Sequence, residues 1–305
     1  MTATGLTVAH GRRVVLALVA LVAGAIAMGA SPVFVRWADV GPYASAFWRT
    51  ALALPFLWAW ARYESRGTAR APLALDRPIL LAGLFFAGDL FFWHLAILAT
   101  TVANATFLAT TAPIWVALGA WLVLAETIGT RILAGLALCI LGGFALMGES
   151  YGFAPARLMG DVYGLATAVF FGAYILAIRA GRGRHGAAQL VFLSTLITTA
   201  CLFVVAFALE PHLLPRSLAG AAALLALALI SQVAGQGLLA IALGTLPATF
   251  SSLVIFLEAV AAAAFGWVLL GEALGLAQAL GGLLILLGIF VARPHAGDRA
   301  VEAGP

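Results

Sequence analysis

The chain holds 305 residues, 64% of them apolar and 9% charged, with a formal net charge of +4. A soluble domain carries about 25% charged residues, so a water-exposed fold of this length is excluded. All the positive side chains are arginines, spread singly or in small groups between apolar runs, which speaks against a nucleic-acid surface and for membrane topology.

A helix that crosses a bilayer needs about 20 mostly apolar residues, and runs of that kind fill the chain. Reading from one Gly, Pro or Arg breaker to the next predicts ten of them: 14–35, 42–61, 78–99, 102–123, 128–147, 160–180, 187–208, 219–242, 247–270 and 274–292. The expected fold is all-α and integral to the membrane, with ten transmembrane helices and no room for a soluble domain. The first run follows Arg12-Arg13 and imitates a secretory signal as far as Gly29-Ala30-Ser31. It continues to Val35, however, and has a later counterpart, so it is assigned to the first helix. The second run carries Arg49, about 10 Å from one face at a rise of 1.5 Å per residue. The third holds Asp89, Trp93 and His94. The fourth holds Asn104, Thr111, Pro113 and Trp115, and Pro113 should kink it and free a carbonyl. The connections Thr100-Thr101 and 244–246 are so short that the helices they join should be antiparallel hairpins. Cys139 and Cys201 lie in different runs, so no disulfide is expected.

Placing the N-terminus in the cytoplasm puts twelve arginines on that side and three, Arg36, Arg157 and Arg216, on the other. This bias orients a multi-pass protein of a bacterial-type inner membrane with both termini cytoplasmic. The chain also repeats itself. Ala120-Trp121-Leu122-Val123-Leu124-Ala125-Glu126 resembles Gly266-Trp267-Val268-Leu269-Leu270-Gly271-Glu272, and at the same offset Gly135 meets Gly281 and Gly142 meets Gly288. A repeat of five helices is odd-numbered, so the second copy should be inverted. The expected organisation is a cytoplasmic N-terminus (1–13), a first five-helix repeat (14–147), an outer connecting loop (148–159), a second five-helix repeat (160–292) and a cytoplasmic tail (293–305). Two inverted five-helix repeats are a transporter signature.

Charge at bilayer depth is costly and persists for function or helix pairing. Asp89 and Glu258 each lie eleven residues into a helix that enters from the cytoplasm, roughly 16 Å deep, so both fall near the midplane. They read as a site for an ammonium or a proton, or else as buried carboxyls bonded to neighbouring helices. Arg49 reads as a structural arginine, with a grip on a substrate carboxylate as the other reading. His94 reads as hydrogen-bonded structure or as a proton relay. Thr111 and Trp115 with Asn104, Gln232 with Gln236, and Ser251 with Glu258 form polar stripes at helical spacing that should face a wet cavity or a helix contact. Trp93, Trp115, Phe170 and Tyr174 are candidates for its apolar walls. Gly135, Gly142 and Gly143, with Gly281, Gly282 and Gly288, should let helices approach closely, within the chain or in a dimer. Glu126 and Glu272 precede the fifth and tenth helices, where a carboxylate complements a helix N-terminus.

These residues resemble the EamA group of the drug/metabolite transporter superfamily along essentially the whole chain. The clearest stretch is Ala96 to Glu126, with Thr101, Ala103, Ala105, Leu108, Pro113 and Glu126 placed as in the family repeat. Leu257-Glu258 with Gly271-Glu272 and Phe47-Trp48-Arg49 extend the likeness. One departure is Ala259, where the family often has proline, so a kink in the ninth helix is not expected. The resemblance implies export of small metabolites by alternating access, with amino-acid exporters of the YddG type nearest and aromatic amino acids among the substrates; another metabolite or a drug-like amphiphile is the alternative.

The implied substrate residues are Asp89, Trp93, His94, Asn104, Thr111, Trp115, Tyr174, Gln232, Gln236 and Glu258. Arg49, Pro113, Glu126 and Glu272 are assigned to structure or gating. A P-loop needs lysine and the chain has none. The five histidines have no ligand spacing, so neither metal nor cofactor is expected, and an intramembrane enzyme, a channel or a scaffold are lesser readings. The expected partners are a small-molecule substrate and the lipid bilayer, with no nucleic acid, in a monomer or homodimer.

Overall fold

A computed structural model of the chain describes residues 3–66, 75–99, 105, 108–124, 128–147, 158–271 and 274–293. Every regular element among them is helical. Helix α1 (Ala3–Gly29) passes at Ala30 into α2 (Ser31–Trp37), with Pro32 in the first turn of α2, where a missing N–H costs nothing. Helices α3 (Pro42–Ala51) and α4 (Leu54–Ser65) are separated by a turn at Leu52-Ala53. Then come α5 (Arg77–Ala99), α6 (Ala112–Val123) and α7 (Thr130–Met147). Next are α8 (Leu158–Arg182), α9 (Ala187–Leu209) and α10 (Leu218–Ala226), which continues through a π-helical segment, Leu227–Gln236, into α11 (Gly237–Leu243). Helices α12 (Ala248–Val254), α13 (Phe256–Leu270) and α14 (Leu276–Ala292) complete the described chain.

The expectation of ten transmembrane helices, as two inverted five-helix repeats, is corrected here. Among the described residues six helical stretches are long and apolar enough to cross a bilayer: Gly11–Trp37, Arg77–Ala96, Leu158–Arg182, Ala187–Leu209, Leu218–Ala242 and Ala248–Leu270. The second expected span breaks at Leu52-Ala53 into helices of 10 and 12 residues. The fourth contributes Ala112–Val123 after a turn at Thr110-Thr111. Thr130–Leu146 and Leu276–Ala292 are apolar but shorter; at 1.5 Å per residue a 17-residue helix rises about 26 Å, against a hydrocarbon core of about 30 Å. Apolar runs overstate span length because leucine, alanine and threonine give no warning of a break. The protein is an all-α, multi-pass integral membrane protein. Its outward surface carries Trp121, Leu122, Val123, Trp267, Val268 and Leu269, all exposed, as a lipid-facing surface permits.

The packing brings α5 along α8, α9 across α3, α4 and α5, α1 against α13, the π segment and α11, and α6 against α8 and α12. Helix α7 packs antiparallel on α14 through the glycines seen in the sequence. A Cβ on Gly135 would lie 2.6 Å from the Gly288 carbonyl, and one on Gly142 2.6 Å from the Gly281 carbonyl; the reciprocal approaches are 2.7 and 2.5 Å. No side chain fits at such distances, so these glycines serve a seam within the chain.

A second reciprocal device ties α3–α4 to α9. The Glu210 carboxylate, just past α9, accepts from the Tyr43 amide at 2.8 Å in the first turn of α3. At the opposite end the Glu64 carboxylate in α4 accepts from the Ala188 and Gln189 amides at 3.1 and 3.3 Å, in the first turn of α9. Each acid satisfies amides that a helix N-terminus leaves without partners.

Candidate functional site

The helix interruptions converge. At the α1–α2 junction Ala30 and Val33 make i→i−3 bonds of 3.4 and 3.2 Å. The same tightening precedes and enters α6 (Thr111 to Leu108, 3.1 Å; Ile114 to Thr111, 2.9 Å) and joins α12 to α13 (Ile255 to Ser252, 3.1 Å; Glu258 to Ile255, 2.8 Å). The fourth interruption is the π segment, a feature frequent at functional sites. A cavity of about 110 Å³ lies among them, with room for several waters. Its lining comes from all four breaks: Ser31 and Pro32; Thr110 and Pro113; Gln236; and Ser252, Ile255, Phe256 and Glu258. Unbroken α5 adds Phe86, Asp89 and Trp93, α3 adds Arg49, and α8 adds Thr167 and Phe171.

Asp89, Trp93, Gln236 and Glu258 therefore share one cavity with Pro113 and Arg49. Arg49 is buried, donates from Nε to Gln232 Oε1 at 3.2 Å and lies over the Phe86 ring at 5.8 Å. No ion pair within 4 Å joins it to a carboxylate among the described residues, although Asp89 and Glu258 face the same space. Gln236 donates to the Met28 sulfur at 3.2 Å while its Oε1, like the Ser31 hydroxyl, has no hydrogen-bond partner among the described residues. Pro113 sits in the first turn of α6, so in the described residues it opens a helix at the cavity wall.

Other expected residues stand elsewhere. Gln232 lies behind the wall, bonded to Arg49 and, from Nε2, to Thr195 Oγ1 at 3.1 Å. Its spacing from Gln236 promised one face, but the π turn separates them. Tyr174 is stacked on Phe86 at 4.7 Å and supports that ring from outside. His94 is buried against Tyr43, with Nδ1 on the Leu90 carbonyl. Thr111 donates to the Leu108 carbonyl at 2.6 Å. Trp115 packs where α6 crosses Gly172 of α8. Asn104, Glu126 and Glu272 lie outside the described residues. Ser252, and not Ser251, reaches the cavity, because the break at Ile255 turns the face that carries Glu258. The α12–α13 break also forms without a proline at Ala259. Sequence reasoning missed the lining residues Ser31, Thr110, Thr167 and Ser252; Ser31-Pro32 inside an apolar run was the one available signal.

Among the described residues no cluster of three His, Cys, Asp or Glu side chains could hold a metal ion. Broken helices around a mainly apolar cavity that carries a few charged and amide side chains, within a multi-pass bundle, match the architecture of a secondary transporter. The EamA-like transporter family model matches the sequence twice, over residues 15–148 and 158–293. The chain belongs to the EamA-like transporter family, and is thus a small-molecule secondary transporter of the drug/metabolite superfamily. A protein of known crystal structure is similar in fold, with a TM-score of 0.79 at 19% identity, over 96% of this chain and 99% of its own. No curated protein matches the sequence.

Proposed function

We propose that the protein exports small metabolites, amino acids foremost and aromatic ones among them, by alternating access. The observation that carries this reading is the cavity itself: one guanidinium and two carboxylates, with no ion-pair contact within 4 Å between them among the described residues, face a space with aromatic walls from Phe86, Trp93 and Phe171. An amino acid offers the complementary set, an ammonium, a carboxylate and an apolar side chain. The helix breaks give the halves 14–147 and 160–292 places to flex against each other around the site. The arginine bias orients both termini to the cytoplasm, so export runs from the side that carries Arg12 and Arg293.

Counterflow tests this. Proteoliposomes preloaded with unlabelled phenylalanine should accumulate labelled phenylalanine transiently, with saturation, and more slowly with Glu258→Gln. Linear, non-saturating flux would make the protein a channel, and absence of flux for every amino acid would overturn the substrate class.

A further inference from the structure

We propose that Arg49 is the carboxylate clamp of the cavity and that Gln232 is the residue that aims it; this rests on the amino-acid reading above. The sequence alone favours a structural arginine bonded to carbonyls or to an acid in a neighbouring helix. Neither arrangement is present among the described residues. Among the described residues Arg49 makes one hydrogen bond, from Nε to Gln232, and no carboxylate comes within ion-pairing distance. A buried guanidinium with no carboxylate in direct contact is costly, and its terminal nitrogens match a carboxylate in a bidentate fork.

The aim of that fork is set from behind. Gln232 Oε1 accepts from Nε, while Gln232 Nε2 donates to the Thr195 hydroxyl, so the amide is held at both ends. The Phe86 ring lies under the guanidinium and is itself backed by Tyr174. With Nε occupied and one face covered, the terminal N–H groups are the donors left for a ligand in the cavity that Arg49 lines. Acceptors for an ammonium line that cavity too: Asp89, Glu258 and the unpartnered Gln236 Oε1. A zwitterion therefore has one orientation, carboxylate to α3 and ammonium toward α5 and α13.

The test uses three probes on one skeleton: phenylalanine, N-acetylphenylalanine (anion only) and phenylalanine methyl ester (cation only). Binding is followed by tryptophan fluorescence of the detergent-solubilised full chain. Arg49→Gln should weaken N-acetylphenylalanine at least about tenfold, the equivalent of one charge-assisted contact, and leave the ester within about threefold. Glu258→Gln should do the reverse. Gln232→Leu should lower the ratio of acid to ester affinity while Arg49 remains, and Arg49→Lys should recover part of the anion affinity and report on folding. Equal losses for acid and ester in Arg49→Gln, with a folded Arg49→Lys, would reduce Arg49 to a structural role and overturn the clamp. So would failure of the anion to bind wild-type protein, whatever the flux assay gives. Arg49-dependent anion binding without amino-acid flux would keep the clamp and overturn the transport reading.

Discussion

The two ends of the α3–α4 and α9 pair use one device and two chemistries. Glu64 and Glu210 are 146 residues apart, the same interval that separates Gly135 from Gly281; Glu64 in α4 caps α9, and Glu210 at the end of α9 caps α3. Gly41 at one end and Gly186 at the other leave space that the carboxylates fill. The flanking contacts differ. Beside Glu210, Asp39 accepts from the Arg216 amide at 3.1 Å, next to the Ser217 hydroxyl that caps α10. Beside Glu64, Asp76 caps α5 at the Ile79 amide and is bonded to His185 at 2.8 Å and Arg184 at 3.2 Å. The backbone amides are met by a carboxylate at both ends, while the side chains around them differ, a neutral contact at one end and a charged one at the other.

The seam between α7 and α14 should break that likeness most severely. Gly142→Val and Gly281→Val each drive a Cβ onto a facing carbonyl with nowhere to move. Each should cost about 3 kcal/mol or more by overpacking, read as loss of monodisperse protein and a large fall in the thermal midpoint. Because the approaches are reciprocal, the two losses should be similar. A large loss from one glycine and none from its counterpart would show that the seam is not shared equally.

The carboxylate caps come next. Glu64→Ala should cost about 1–2 kcal/mol and Glu210→Ala about 1 kcal/mol, because Glu64 serves two amides and Glu210 one. Thermal unfolding in detergent measures the difference. If Glu210→Ala proved the more damaging, the count of amides would not be what sets the cost.

Much of the candidate cavity lining was legible because charge inside an apolar run is conspicuous. Asp89 and Glu258 announce themselves at matching depth, and the glycines seven residues apart announce a close-packed face. The rest was hidden by breaks that leave no compositional trace. Ser31 and Ser252 gain their place from turns at Ala30 and Ile255, residues that suit a helix as well as a break. Gln232 and Gln236 look like one stripe, yet i→i+5 bonding in the π segment widens the turn and sends one to Arg49 and the other to the cavity. The short helices were overread for the same reason: Leu52-Ala53 and Thr110 interrupt apolar runs without changing their hydropathy. Glu64 and Glu210 drew no notice in the sequence, because a charge at the end of an apolar run is unremarkable.

The smallest effect separates the two flanking acids. Hydrogen bonds from the Ser217 side chain and the Arg216 amide hold Asp39 below the ordinary carboxylate value. Burial works to raise Asp76, but the hydrogen bond from His185, the Ile79 amide and the nearby charges of His185 and Arg184 bring it below that value too. Both folded values are depressed, so each acid stabilises the fold above the usual carboxylate range and loses that contribution as pH falls through its folded value. The gap in thermal midpoint between wild type and Asp76→Asn should thus be full at neutral pH and close in strong acid, reflecting a stability difference of about 0.5–1 kcal/mol for a partly exposed pair. The gap for Asp39→Asn should show the same pH trend. Salt tells them apart. Raising ionic strength shortens the screening length to about 3 Å at 1 M, so the Asp76 gap should shrink in concentrated sodium chloride, because its partners include Arg184. The Asp39 gap should hold, because a hydroxyl and an amide carry no net charge to screen. Equal salt sensitivity at the two positions would show that their chemistry had not diverged.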